Sequence, residues 1–277
     1  MNLYVATLIV LGATALAVGI MLLIRRHAPD GGYFNDGDRA AGVFGVLATS
    51  FSVLLAFVVF LAFTSYDKAQ SGADQEAMDV VQQFQTAQAL PRAVAPLLGG
   101  ELICYGRSVV YQEWPQLQRS GTAPDFNEWT FPLFKTLQKT NPVTPAEQAA
   151  YAKWLDETSD RQQARLDRVD GAQNVIPTPL WFILLVGAGI VLLFTFFFAD
   201  SGERKVAQVM MAGSVAVVLA TSMLVIQFFD SPYHPGSGSL QPTSMLRSLE
   251  RLDGASKALG LPVVVPCDAA GRPPAKA

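Results

Sequence analysis

Four uninterrupted apolar stretches decide most of what this chain can become. Residues 3–24 (LYVATLIVLGATALAVGIMLLI), 40–63 (AAGVFGVLATSFSVLLAFVVFLAF), 180–199 (LWFILLVGAGIVLLFTFFFA) and 206–229 (VAQVMMAGSVAVVLATSMLVIQFF) contain no Asp, Glu, Lys, Arg or His. A hydrocarbon core about 30 Å thick takes roughly 20 apolar residues in helical form. Backbone polar groups must find partners there without water, which for segments of this kind means helix. The four stretches therefore predict four transmembrane helices. Charged residues make up 16% of the chain, well under the roughly one quarter usual in soluble domains. The first stretch reads as a retained helix rather than a signal peptide, because its apolar run is long, no basic region precedes it and Arg25-Arg26 follow it directly.

An even number of spans puts both chain ends and the long segment between the second and third spans on one side. The two short loops carry Arg25, Arg26, Arg39, Arg204 and Lys205, whereas the opposite flanks carry Lys68, Arg165 and Arg168. The positive-inside rule then places the short loops in the cytoplasm and the long insert outside it.

The insert reads as helical throughout. Residues 67–90 continue the second span, with Ala73, Ala77, Val80, Val81, Phe84 and Ala87 at helical spacing and Gly72 the one breaker. A second helix carries Leu98, Leu102, Tyr105 and Val109 to Glu113-Trp114-Pro115, and residues 120–124 form a loop. A third begins at Thr144-Pro145-Ala146-Glu147, a capping box with Pro at the first helical position, and runs to about Asp170. The helices are expected to extend spans two and three beyond the membrane. After Phe229 the chain turns through Pro232, Pro235, Gly236 and Gly238, then carries Met245, Leu246, Leu249 and Leu252 on one short amphipathic helix. Residues 261–277 read as a flexible end. The expected organisation is all-α and polytopic: residues 1–66 for helices 1 and 2, 67–176 for the extramembrane insert, 177–230 for helices 3 and 4, and 231–277 for the tail.

Few residues carry chemistry. No GxSxG, P-loop, GxGxxG, HExxH or CxxC motif is present, and the spans lack carboxylates. An enzyme is therefore not expected, and no cofactor or metal is called for. His27 and His234 fall on opposite sides of the bilayer and read as lone interfacial histidines. The loop from Asp30 to Asp38 gathers acids and glycines but lacks the length and closing Glu of a calcium loop. A net charge of −3 lacks the basic footprint of a nucleic-acid binder. Cys104 and Cys267 lie on one side: they pair if that side is oxidising, and otherwise remain a buried and a free thiol.

Two groups stand out. Thr49, Ser52, Val53, Ala56 and Phe60 share one face of span two, hydroxyls first and an apolar constriction after, a pattern that suits a pore gated by dewetting. Arg161, Arg165 and Arg168 form one stripe of the third insert helix at i, i+4 and i+7. They either pair with Asp160, Asp167, Asp170 or Glu157, or form a basic vestibule that concentrates anions. Small residues repeat every four positions in span two (Ala48, Ser52, Ala56) and span four (Ala212, Ala216, Ala220), which lets helices approach closely.

The order and spacing of several short pieces resemble the bestrophin-like family, a bacterial domain family of unknown function. They are LLAFVVFLAFTSYDKA at residues 54–69, then Glu76, Ala77, Val80, Ala87, Leu90 and Pro91, LICYGRSVVYQEWP at 102–115, Arg165-Leu166, the run IPTPLWFILLVGAGIVLLFTFFF at 176–198, and Phe229-Asp-Ser-Pro232 with its Gly-rich turn. The resemblance implies four spans with a helical insert between the second and third. It also implies kinship with bestrophins, pentameric anion channels whose second helix lines the pore with an apolar aromatic neck under calcium control; no calcium clasp is found here. Bestrophins keep their insert in the cytosol, whereas the loop arginines place it outside, and the charge bias is followed. The expected partners are the lipid bilayer, further copies of the chain and small anions. The expected activity is an oligomeric small-anion channel or, alternatively, a non-conducting membrane scaffold or sensor whose insert binds a partner.

Overall fold

The computed structural model describes residues 2–173 and 175–274. Among these residues it holds nine α-helices and no strand: α1 (Leu3–Arg25), α2 (Gly37–Ala87), α3 (Ala95–Ser108), α4 (Trp114–Ser120), α5 (Thr130–Gln138), α6 (Pro145–Asp170), α7 (Thr178–Phe197), α8 (Lys205–Asp230) and α9 (Thr243–Leu259). A π-helical turn, Val109–Glu113, joins α3 to α4. Helices α1, α2, α7 and α8 are long and apolar enough to cross a membrane. The chain divides into two compact units. One holds the described residues up to Tyr66, those from 175 to Ser231, and Pro235–Gly238; the other holds Asp67–Gln173, Pro232–His234 and the described residues from Ser239 on.

In the first unit, α2 buries Phe51, Leu55, Val58 and Ala62 with Leu184 and Val191 of α7 and Leu219 and Ile226 of α8. Helix α8 turns its small residues the other way. Ala212 and Ala216 are buried with Ala17 and Met21 of α1, and Gly213 lies beside Thr14 and Val18. Lipid tails are as apolar as Leu, so close packing of this kind is what holds such helices together. Asp230, buried at the end of α8, accepts from the backbone N–H groups of Val175 and Ile176 at 2.9 and 3.0 Å and from Trp181 Nε1 at 3.4 Å. It thereby anchors the entry to α7. The short loops lock to one another: Arg25 donates to the carbonyls of Asp200 (3.0 Å) and Ser201 (2.8 Å), and Asp200 accepts from Gly31 N–H at 3.1 Å. Asp30 accepts from Ser201, so the acidic, glycine-rich loop is a polar turn stitched to its neighbour.

In the second unit, α2 and α6 run antiparallel. Moving up α2, Lys68 pairs with Asp167, Glu76 with Arg168, Gln83 with Thr158, and Thr86 with Glu157. Gly72 sets the distance of approach. A Cβ there would lie 2.6 Å from the backbone nitrogen of Arg168 and 2.8 Å from the carbonyl oxygen of Ala164. The Thr144 capping box opens α6 with both reciprocal hydrogen bonds in place, as expected.

Three features depart from the sequence reading. Helix α5 has no counterpart in it. Helix α6 ends at Asp170 and α7 begins at Thr178, so the third insert helix stops before span three instead of running on into it. The end of the chain, expected to be flexible, is held down over its described part, whereas residues 275–277 lie outside the described residues. Val264 N–H donates to the Pro96 carbonyl at 3.0 Å, Trp129 Nε1 donates to the Gly271 carbonyl at 2.6 Å, and Cys267 forms a disulfide with Cys104. Gly100 makes room for this passage, since a Cβ would fall 1.6 Å from the Val264 carbonyl oxygen.

Replacing Gly72 by Ala is expected to destabilise the insert by about 1–3 kcal/mol, the usual cost of overpacking a tight contact. Gly12→Ala, which meets nothing within 4 Å, should be neutral or slightly stabilising. Thermal unfolding of the full-length protein in detergent compares the two.

Candidate functional site

Two groups of side chains are candidates, one in each unit. The first is the outer face of α2. Thr49, Ser52, Val53, Ala56 and Phe60 are all exposed, on the side of the helix away from the buried row Phe51, Leu55, Val58 and Ala62. A single chain thus leaves this face uncovered: Val53, Phe57 and Phe60 are each more than 60% exposed. The Ser52 hydroxyl donates to the carbonyl of Ala48 at 2.8 Å, so it is satisfied within its own helix. Beside this face a groove of about 530 Å³ runs between α2 and α8, lined by Ser52, Ala56, Phe60, Val218 and Ser222 among others.

The second group is an ionic cluster inside the insert. Arg161, Arg165 and Arg168 form one stripe, as their spacing requires, and all three are buried. Their partners come from other elements than those the sequence offered. Arg168 grips Glu76 of α2 through Nε and Nη2, and donates to Glu113 Oε2 at 2.6 Å. Arg165 donates to Glu113 Oε1 at 3.2–3.3 Å and to the carbonyls of Pro124 and Asp125 at 2.7 and 3.1 Å. Tyr105 donates to Glu76 Oε1 at 2.6 Å, and Asn127 to Glu113 Oε1 at 2.8 Å. Tyr233 donates to the Arg168 carbonyl at 2.7 Å, and the Trp114 ring lies 5.7 Å from the Arg168 guanidinium. Arg161 forms no hydrogen bond or ion pair with any described residue, and stands 4.3 Å over the Tyr105 ring.

Charge and burial work against each other here. Burial pushes Glu113 up, but the adjacent Arg168 and Arg165 outweigh it and hold the carboxyl below its ordinary value of 4.5. Burial pulls Arg168 down, and Glu76 and Glu113 more than compensate. Tyr105 is driven well up by burial and by the Glu76 carboxylate, so it stays a donor. Arg161 is pulled down, chiefly by burial.

The sequence model of the Bestrophin-like domain family matches residues 11–245. The chain belongs to the Bestrophin-like domain family. No curated protein matches the sequence. Solved structures with the same fold include two point variants of a bacterial bestrophin homologue from Klebsiella pneumoniae. One has a TM-score of 0.61 at 10% identity, over 88% of this chain and 97% of that one. The other has 0.59 at 11% identity, over 88% and 98%. A structure described as a membrane protein gives 0.57 at 11% identity, over 88% and 96%. The Bestrophin-like segment takes in both candidate groups, whereas Cys267 lies beyond it.

Glu76, Tyr105, Glu113 and Tyr233 were not singled out from the sequence as site residues. A signal for Glu76 was present: Glu76, Asp79, Gln83 and Thr86 repeat at 3, 4 and 3, a polar stripe of the same period as the arginines. For Glu113 there was none, because the π turn that carries it shifts the register of every later side chain and has no local signature.

Replacing Glu113 by Gln is expected to destabilise the insert by about 3–5 kcal/mol, since two buried arginines lose their shared carboxylate. The native contribution is full above pH 4.5 and is lost as pH falls through the lowered value of Glu113. Thermal unfolding against pH should therefore show an acid limb in the parent protein that is flattened in Glu113→Gln.

Proposed function

We propose that this chain is one subunit of a homo-oligomeric, non-enzymatic membrane channel for small anions. The outer face of α2 lines the path. The observation that carries this reading is the arrangement of α2: one face is buried against α7 and α8, and the other, with Thr49, Ser52, Val53, Ala56 and Phe60, is exposed in a single chain. Hydroxyls at one end and Phe60 at the other give a wettable entrance followed by an apolar constriction. Membership of the Bestrophin-like family and the fold shared with a bestrophin homologue support the same reading. Purified protein in liposomes is expected to pass chloride. Phe60→Ala should raise the flux by about tenfold, equivalent to about 1.4 kcal/mol off a barrier, and Ser52→Ala should lower it. Sealed vesicles holding oriented protein that pass no ion would refute the assignment.

One observation favours a second reading, a non-conducting scaffold or sensor. The outer face of α2 carries no charge, and the Ser52 hydroxyl is spent on its own helix. A stoichiometric partner held by the insert, in the absence of flux, would support it.

The insert faces the extracytoplasmic side in this proposal. The Cys104–Cys267 disulfide needs an oxidising compartment, and the arginines of the two short loops favour the cytoplasm for those loops. In intact cells, a cysteine introduced at exposed Thr243 should react with a membrane-impermeant maleimide, and one at exposed Glu203 should not until the membrane is opened. The reverse pattern would invert the topology.

A further inference from the structure

Arg161, which has no hydrogen bond or ion pair to a described residue, gives the insert a feature of its own. Arg161 is 2% exposed, and its Nε and Nη1 are fully buried with no hydrogen bond. Taking a guanidinium out of water costs several kcal/mol unless an opposite charge meets it. The Tyr105 ring lies 4.3 Å from it and the charges of Glu76 and Asp79 reach it, but no carboxylate bonds it. Glu76 is engaged by Arg168 and Tyr105, and Glu113 by Arg165, Arg168 and Asn127. Asp79 accepts from Gln75 at 2.8 Å and makes no ion pair. Arg161 instead borders a cleft of about 80 Å³ together with Tyr105, Asn127, Thr130, Gln162 and Arg165. That space exceeds the minimum for one water molecule several times over. The side chains of Thr130 and Gln162 make no hydrogen bond with described residues, so their donors are free. Asp125 also borders the cleft, but it is exposed and its charge is screened by solvent.

We propose that this cleft binds a compact anion, a halide or a small carboxylate, on the Arg161 guanidinium, with Arg165 and the polar groups of Thr130 and Gln162 beside it. The ligand supplies a bonded anionic acceptor, which Glu76 and Asp79, acting on Arg161 only through space, do not. Arg165 adds positive potential although its own donors are taken. The volume selects for size: chloride, formate and acetate fit, whereas a sugar acid such as gluconate does not. The inference is independent of conduction, because binding is read on solubilised protein.

The test uses the full-length protein in detergent, with gluconate as the background anion at constant ionic strength. Chloride, formate and acetate are titrated separately while thermal unfolding is followed, which tells a halide site from a carboxylate site. The expected result is a saturable rise in Tm of about 2–4 °C at several times Kd for at least one of them. The rise should vanish in Arg161→Gln and persist in Arg204→Gln. Crystals of the parent protein soaked in bromide should show an anomalous peak beside the Arg161 guanidinium, and this holds even where Arg161→Gln fails to fold; acetate should displace it if carboxylates share the site. A Tm indifferent to all three anions together with no bromide peak overturns the proposal, and leaves Arg161 to water or to Asp79. A rise that survives Arg161→Gln also overturns it, because the anion then binds elsewhere.

Discussion

An arginine withdrawn from water has to be answered by opposite charge, and three of them on one stripe of α6 set the terms on which the insert folds. Glu113 answers two, Arg165 and Arg168, and Glu76 shares in holding Arg168. These carboxylates come from different elements, α2 and the π turn after α3, so no single helix hairpin completes the cluster. A buried pair of this kind is weak evidence of net stability, yet removing one member leaves a charge stranded. Its effect is to make alternative registers expensive. Sliding α6 along α2 by one turn would separate Arg168 from Glu76, and would also move the backbone of α6 off Gly72, where it approaches α2 closely.

The membrane unit is organised on the opposite basis. Its helices carry no charge through their apolar stretches, so the helices find their places by shape. Ala212, Gly213 and Ala216 let α8 lie close on α1, while Phe51, Leu55 and Val58 interlock with Leu184, Val191 and Leu219. The small residues of α2 follow a different logic: Ala48 is half-buried, and Ser52 and Ala56 are exposed. The same four-residue repeat is therefore packed within the chain on one helix and left open on the other. That difference is why the outer face of α2, and not the ridge of α8, is the one that calls for lipid, a pore or another subunit.

The spans, the capped start of α6 and the helical character of the insert were legible in the sequence because each is a local pattern: an uncharged run, a Thr-Pro-Ala-Glu box, apolar spacing near 3.6. The arginine stripe was legible as a stripe. Its partners were not, since the acids nearest along the chain, Asp160, Asp167 and Asp170, are not the ones that three-dimensional packing delivers. Asp167 faces Lys68. Helix α5 went unseen for a related reason: in Thr130–Gln138 it is short, opens without a capping side chain and carries Pro132 within its first turn. The burial of Tyr105 and Tyr233 depends on contacts 29 and 65 residues away, which no window along the chain can register.

The tail shows how a segment with no periodicity acquires a fixed place. Residues 261–274 have too few apolar side chains in sequence to form a helix face, and nothing local would hold them. They are held one carbonyl at a time: Arg107 donates to Asp268, Gln112 to Ala270 and Trp129 to Gly271. Asp268 closes its own turn by accepting from Ala270 and Arg272. The disulfide joins positions 163 residues apart, which for a free chain in water would correspond to about 5 kcal/mol of loop-closure entropy. Two of the apolar helices lie inside that loop. When the bilayer already restrains them, the unfolded chain has less freedom to lose and the entropic share shrinks. What remains is local. Cys104 sits on α3 between Gly100 and Tyr105, so the covalent link fixes the tail against the same helix that presents Tyr105 to Glu76 and to Arg161.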